Sequence, residues 1–266
     1  AMLHVAVSVG QRFDRILYPE LNSDHSLCPL VVVGNPRSGT TYLQRSLIDL
    51  GFGKGQTLLH QLAPSRVLQH LLRPMSEVLE TVSPTRHHDR RVHEGGLQAV
   101  ETDDASLFFR FLDGLFMYGF FWAHFEEECV DWVDQQLRNT QQRDFRWLER
   151  CWRQNVNEER PLAKLFSIGG HLPAFISAFP KAQIIYLAWD PLETIPSTLS
   201  MITSVLDSRY RIQLNHSQLS RFSHRLAAAL IELLRRFVND FEKKRISKEQ
   251  IFILPYQRVC VDWETV

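Results

Sequence analysis

Cysteine is scarce: four residues in 266, at Cys28, Cys129, Cys151 and Cys260, are too few and too scattered for a disulfide framework or a Cys-rich metal site. They read as buried or incidental thiols of a reducing compartment. Net charge is also missing. The 30 acidic and 30 basic residues cancel, which removes the broad positive field expected of a protein that binds a nucleic-acid polymer. No internal repeat or low-complexity segment is present. Residues 1 to 10 have neither a basic start nor a cleavage pattern, so no secretory leader is predicted and a cytoplasmic location is expected. No apolar run suits a bilayer, because the most apolar stretch, Ala105 to Phe125, carries Arg110, Asp113 and His124. The polar loop with His87, His88, Asp89 and His93 lacks the i, i+4 ligand spacing of a helical metal site, and no metal is expected.

What is present concentrates between Leu30 and Leu50. Leu30 to Val33 is a short, β-branched apolar run that predicts a buried strand. Gly34 to Gly39 predicts a tight loop, and from Thr40 onward Leu43, Leu47 and Leu50 repeat with a helical period. Strand, glycine loop and helix together aim backbone N–H groups and a helix N-terminus at a phosphate. The spacing Gly34-x-x-x-x-Gly39-Thr40-Thr41 is that of a nucleotide-binding P-loop, except that Thr40 replaces the lysine and the positive charge lies inside the loop at Arg37. That exchange argues against ATP or GTP hydrolysis and a kinase.

Gly34-Asn35-Pro36-Arg37-Ser38-Gly39-Thr40-Thr41 resembles the 5′-phosphosulfate loop of sulfotransferases that use 3′-phosphoadenosine 5′-phosphosulfate (PAPS), in the Pro-Arg-Ser-Gly-Thr-Thr branch with bacterial members. Ile184 to Ser200, containing Trp189-Asp190-Pro191 and Pro196-Ser197, is similar to the family's second hallmark. There an arginine and a serine eight positions later hold the 3′-phosphate. Ser197 matches the serine, whereas Trp189 stands at the arginine. Tryptophan offers one N–H and no charge, and losing a charge-assisted phosphate contact costs on the order of 2–3 kcal/mol. Stacking of Trp189 on adenine, another arginine reaching the phosphate, and a binding-impaired chain are the readings this leaves.

Weaker matches cover most of the remainder. Leu162-Ala163-Lys164 resembles the family's lysine-bearing strand. His93-Glu94-Gly95-Gly96-Leu97 with Glu101-Thr102-Asp103-Asp104 is similar to its acidic segment, with Thr102 in place of a carboxylate. Ile251 to Tyr256 resembles the late strand and its Tyr-Glu-Asp-Leu turn, with Gln257 for glutamate, and no counterpart of the C-terminal closing segment of many members is evident.

The resemblance implies sulfuryl transfer from PAPS to a hydroxyl of a small, lipophilic or carrier-bound acceptor, releasing adenosine 3′,5′-bisphosphate without a metal. Arg37, Ser38, Gly39, Thr40 and Thr41 would hold the 5′-phosphate, with Trp189 and Ser197 toward the 3′ side. Lys164 is the candidate for the sulfuryl or bridging oxygen, and His60 and His93 are the candidate general bases. A second reading is a catalytically impaired sulfotransferase-fold binding or interaction protein, to which Trp189 and Gln257 point.

The expected architecture is α/β: one domain over 1–266, a P-loop-like central parallel sheet flanked by helices, and a large helical insertion at about 60–158. Helices are predicted at Arg66 to Leu79, Ala105 to Gln136, Asp144 to Asn155, Leu172 to Phe179, from Pro191, and at Ser217 to Lys243. A loop is expected at Pro84 to Gly96. Further strands are predicted at Pro161 to Leu165, Gln183 to Ala188 and Gln250 to Leu254. The aromatics of 105–125, among them Phe108, Phe109, Phe111 and Trp122, are assigned to core packing before a lipophilic acceptor wall.

Overall fold

Leu30–Val33 (β1) is buried along its whole length, as a strand covered on both faces must be. The computed structural model describes residues 2–22, 26–81, 96–114, 117, 138–155 and 159–261. Around β1, Leu162–Lys164 (β2), Gln183–Ala188 (β3) and Ile251–Pro255 (β4) form a four-stranded sheet in the order β2-β1-β3-β4, parallel throughout. The chain leaves β1 toward β2 on one side and β3 toward β4 on the other. The crevice beyond the carboxyl ends of β1 and β3 is therefore the topological switch point, where ligands of such sheets bind.

Period-two alternation sends neighbouring side chains to opposite layers. Val31, Val33, Ile184 and Tyr186 pack against Gln141–Asn155 (α7), Leu172–Ala178 (α8) and His216–Glu242 (α10) through Phe145, Trp152, Phe175 and Phe237. Leu30, Val32, Leu187 and Leu254 face Leu43 and Leu47 of Thr40–Asp49 (α2) and Val259 of Tyr256–Val261 (α11). Pro191–Tyr210 (α9) follows β3, with Asp190 capping its start by accepting from the Leu192 N–H at 2.8 Å.

Between α2 and β2 lie Leu58–Leu62 (α3), Arg66–Leu72 (α4), Ser76–Thr81 (α5), Asp104–Phe111 (α6) and α7. Two expectations need correction here. The helix predicted from Arg66 to Leu79 divides at a 3₁₀ turn, Arg73–Met75, because Pro74 lacks an N–H and its ring crowds the preceding turn. The helix predicted from Ala105 to Gln136 closes at Leu112, whose φ of 50° is left-handed, and most of the remainder of that span lies outside the described residues. The loop predicted at Pro84 to Gly96 lies outside them too, apart from Gly96. The strands and the other helices match their predicted spans to within a few residues. Met2–Leu17 (α1), which packs on α4, has no counterpart among the sequence-based expectations. Of the thiols described, Cys28 is exposed and Cys151 buried, both free.

Candidate functional site

The loop after β1 is shaped by two close approaches. A Cβ on Gly34 would fall 2.8 Å from the Leu187 carbonyl oxygen, and one on Gly39 would fall 2.8 Å from the Tyr256 ring, so only glycine lets the loop lie this near β3 and α11. Gly39 is also left-handed at φ 83°, the conformation from which α2 starts. Within the loop the Ser38 N–H donates to the Asn35 carbonyl at 3.2 Å, closing a turn with Pro36 and Arg37 at its centre. Arg37 has φ 67°, which suits the third position of a type II turn but ordinarily selects glycine. Keeping an exposed arginine there, at a cost of about 1–2 kcal/mol, puts its charge at the mouth of the loop.

α2 begins with no side-chain cap and no acidic residue in its first turn. Its leading N–H groups have no acceptor within the helix and face the loop, the arrangement that receives an anion. Thr40 is buried at this point, and Thr41 accepts at Oγ1 from the ammonium of Lys164 at 2.8 Å. Lys164 ends β2, one strand away from β1, and is 2 % exposed. Burial lowers its pKa to about 8, against the opposing pull of Glu101, Asp103 and Asp104 and with a further lowering by Arg45.

A second layer of carboxylates fixes that lysine. Asp103 accepts from the Lys164 backbone N–H at 3.0 Å and from Trp152 Nε1 at 2.9 Å. Asp104 accepts from the Phe166 N–H at 2.6 Å and the Ser167 N–H at 3.3 Å, while Thr102 Oγ1 shares its proton between Asp104 at 3.1 Å and the Lys164 carbonyl at 2.9 Å. Burial raises both carboxyls, Asp103 to about 7, although its hydrogen bonds to Trp152 and Lys164 resist the rise. With both oxygens engaged on structural donors, Asp103 positions Lys164 and is not itself a group that meets a substrate.

Across the crevice, α9 is tied to the loop twice. Arg37 Nε donates to Ser197 Oγ at 3.2 Å, and Thr198 Oγ1 lies 3.1 Å from the Pro36 carbonyl, sharing its one proton with the Thr194 carbonyl at 2.8 Å. Trp189 stacks on Tyr256, ring centroids 3.5 Å apart and planes 7° from parallel, and its Nε1–H donates to Glu193 Oε2 at 2.7 Å. The tryptophan's single donor is thus already spent on a carboxylate. Arg37 is the arginine that reaches the Ser197 side, and Tyr256 with Glu193 explains where Trp189 goes.

The structure thus brings Arg37, Ser38, Gly39, Thr40, Thr41, Lys164, Ser197 and Trp189 around one crevice. His60 is held differently. It is the third residue of α3, and its Nδ1 accepts from the Thr57 N–H at 3.2 Å while the His60 N–H donates to Thr57 Oγ1 at 3.3 Å, a reciprocal capping box. With Nδ1 accepting, the proton of the neutral ring sits on Nε2 and no lone pair remains for a substrate proton. Burial and Lys54 lower its pKa to about 4. His93 lies outside the described residues. The Trp152–Asp103 bond, the Trp189–Tyr256 stack and the Thr198 clamp are absent from the sequence-based expectations, since each joins residues far apart in the chain. Among the described residues, no group of His, Cys, Asp and Glu is arranged to hold a metal.

Fold and site together define a P-loop-like α/β protein with an anion-directed loop and a buried lysine beside it. The chain belongs to the sulfotransferase family, whose sequence model matches residues 29–266. Two solved structures share its fold. Sulfotransferase STF1 from Mycobacterium tuberculosis H37Rv superposes with a TM-score of 0.72 at 18 % identity, over 99 % of this chain and 71 % of that one. Sulfotransferase STF9 from Mycobacterium avium gives 0.66 at 15 % identity, over 96 % of this chain and 65 % of that one. The chain thus spans about two-thirds to seven-tenths of their length. No curated protein matches the chain.

Proposed function

We propose that this sulfotransferase uses PAPS as donor and transfers the sulfuryl group to a hydroxyl of a small or lipophilic acceptor, releasing adenosine 3′,5′-bisphosphate. The observation that carries the reading is the 2.8 Å contact between the Lys164 ammonium and Thr41 at the start of α2. A buried ammonium at the mouth of an anion loop is where charge on a departing bridging oxygen would be neutralised.

The residues fit the donor. Arg37, the uncapped N–H groups of α2 and the hydroxyls of Thr40 and Thr41 suit the 5′-phosphate. Ser197, whose oxygen already accepts from Arg37, keeps its hydroxyl proton for an anion on the 3′ side. One guanidinium would then serve both phosphates. In the reaction the bond from sulfur to the bridging oxygen breaks, a bond from the acceptor oxygen to sulfur forms, and the acceptor proton passes to a base. Glu101 and His93, on the segment that precedes α6, are the candidates for that base, because the His60 lone pair is engaged on the Thr57 N–H.

A silent binding module is disfavoured. Membership of an enzyme family and the Lys164 ammonium 2.8 Å from Thr41 beside the loop favour turnover over binding alone. The test is release of adenosine 3′,5′-bisphosphate from PAPS in metal-free buffer across a set of alcohols and phenols. Acceptor-dependent release that disappears in Lys164→Met supports the reading. Nucleotide binding with no release from any acceptor would favour the module.

A further inference from the structure

α1 buries a mixed face, in which Val7 joins the main core and the polar Gln11 and Asp14 are enclosed beside it. Asp14, fully buried, accepts from the N–H groups of Arg66 at 3.2 Å and Val67 at 2.9 Å, so it caps α4. Gln11, also buried, donates through Nε2 to the Pro64 carbonyl at 3.0 Å and to Gln154 Oε1 at 3.3 Å. The opposite side carries Val5, Val9, Phe13 and Ile16 at helical spacing, and these are 63 %, 44 %, 52 % and 75 % exposed. A surface helix ordinarily turns such a stripe inward. A continuous exposed apolar stripe marks a surface that something covers.

Beside the stripe, α1 and α6 enclose a groove of about 440 Å³, lined by Val5, Val9 and Phe111 and by His4, Arg12 and Arg110. It lies at the far end of α6 from Lys164 and forms no part of the anion loop. Arg110 stands over the Trp147 ring, 4.8 Å from its centroid, and its Nη1 is enclosed with no hydrogen-bond partner among the described residues. The Arg150 guanidinium is held below its ordinary range by burial and by neighbouring Arg15, Arg110 and Arg146, so positive charge is concentrated here. Among the described residues, Asp14 caps α4 and Glu20 pairs with Arg66 at 2.8 Å, so neither carboxylate faces the stripe.

We propose that the outer face of α1, with the groove behind it, docks on an anionic lipid surface. Val5, Val9, Phe13 and Ile16 enter the boundary between headgroups and acyl chains, Arg12 meets headgroup phosphates, and Arg110 takes an anionic oxygen at the groove. A row of aliphatic and aromatic side chains margined by arginine is the composition of an interfacial helix. No helix among the described residues is long and apolar enough to cross a membrane, so the contact is with its surface. The inference does not depend on the sulfuryl-transfer reading.

Co-sedimentation of the full chain with vesicles tests it, using phosphatidylcholine alone and phosphatidylcholine mixed equally with phosphatidylglycerol. The chain is expected to sediment with the mixed vesicles and to be released by salt. Arg12→Gln should weaken that binding about fivefold, and Phe13→Ser about tenfold or more. Both side chains are exposed, so thermal melts of the variants should match the parent. Equal binding to both vesicle types, or binding that survives both substitutions, overturns the proposal. So does sedimentation with neither, and if the chain then dimerises in the ultracentrifuge and Phe13→Ser dissociates it, the face joins copies of this chain.

Discussion

Arg37 Nε and Ser197 Oγ, 3.2 Å apart, join the loop after β1 to the helix after β3, so the two halves of the candidate phosphate site are in direct contact. The link depends on a left-handed arginine at φ 67°. Arg37→Ala should weaken adenosine 3′,5′-bisphosphate binding about a hundredfold, by loss of a charge-assisted contact of about 2–3 kcal/mol. Arg37→Gly should lose the same affinity yet melt higher than Arg37→Ala, because glycine takes the turn without the cost of about 1 kcal/mol. Equal melting of the two variants would mean that the turn holds no strain.

Lys164 combines burial with charge, and the two have opposite consequences. Its folded pKa of about 8 lies below its ordinary 10.5, so the unfolded chain holds the proton more tightly and the ammonium lowers stability at neutral pH. That cost fades as pH rises from about 8 to 10.5, which is also where the ammonium needed for turnover is lost. Lys164→Met should therefore melt no lower than the parent at neutral pH while turnover falls by about a hundredfold or more. In the parent, turnover should decline above about pH 8. A flat alkaline profile would remove the lysine from the reaction.

Glutamine at position 60 separates a cap from a base. His60→Gln keeps a hydrogen-bond acceptor at the third helical position, so the capping box survives and the imidazole does not. Turnover should stay within a few-fold of the parent, and loss of activity with an unchanged fold would make His60 the base after all. The variant should also resist acid better. His60 has its folded pKa lowered from 6.5 to about 4, so the stability it supports is lost as pH falls through that window, and glutamine has no such proton to take up.

Trp189→Arg would exchange a stacked ring for a guanidinium four residues before Glu193. The variant is expected to lose about 1 kcal/mol of stability with the Tyr256 stack. Adenosine 3′,5′-bisphosphate should bind about tenfold to a hundredfold more tightly, as one charge-assisted contact provides. Calorimetry on both proteins reads the difference. Unchanged affinity would mean that the 3′-phosphate is not read at this position.

Much of this arrangement was legible in the sequence. The β-branched run at Leu30–Val33, the glycines at 34 and 39 and the apolar period from Thr40 are local signals, and local signals place strand, loop and helix. Lys164 is singled out in the sequence by the resemblance of Leu162-Ala163-Lys164 to the family's lysine-bearing strand. The partners are not. That Trp189 lies on Tyr256, that Asp103 holds the Lys164 backbone and that Thr198 clamps Pro36 are consequences of the strand order β2-β1-β3-β4, which no window of sequence contains. His60 misled for the opposite reason. The resemblance suggests a base on the element that follows the first helix, whereas the neighbouring Thr57 makes His60 the third residue of a capping box. α1 escaped because its stripe of Val5, Val9, Phe13 and Ile16 faces out, against the usual inference from hydrophobic period to buried face.

The most direct test of the account is a calorimetric titration of adenosine 3′,5′-bisphosphate into the metal-free chain, with Arg37→Ala alongside. Micromolar binding by the parent that is lost in the variant is the predicted result. No heat from the parent, or binding indifferent to Arg37, would contradict the claim that the loop after β1 is the donor site.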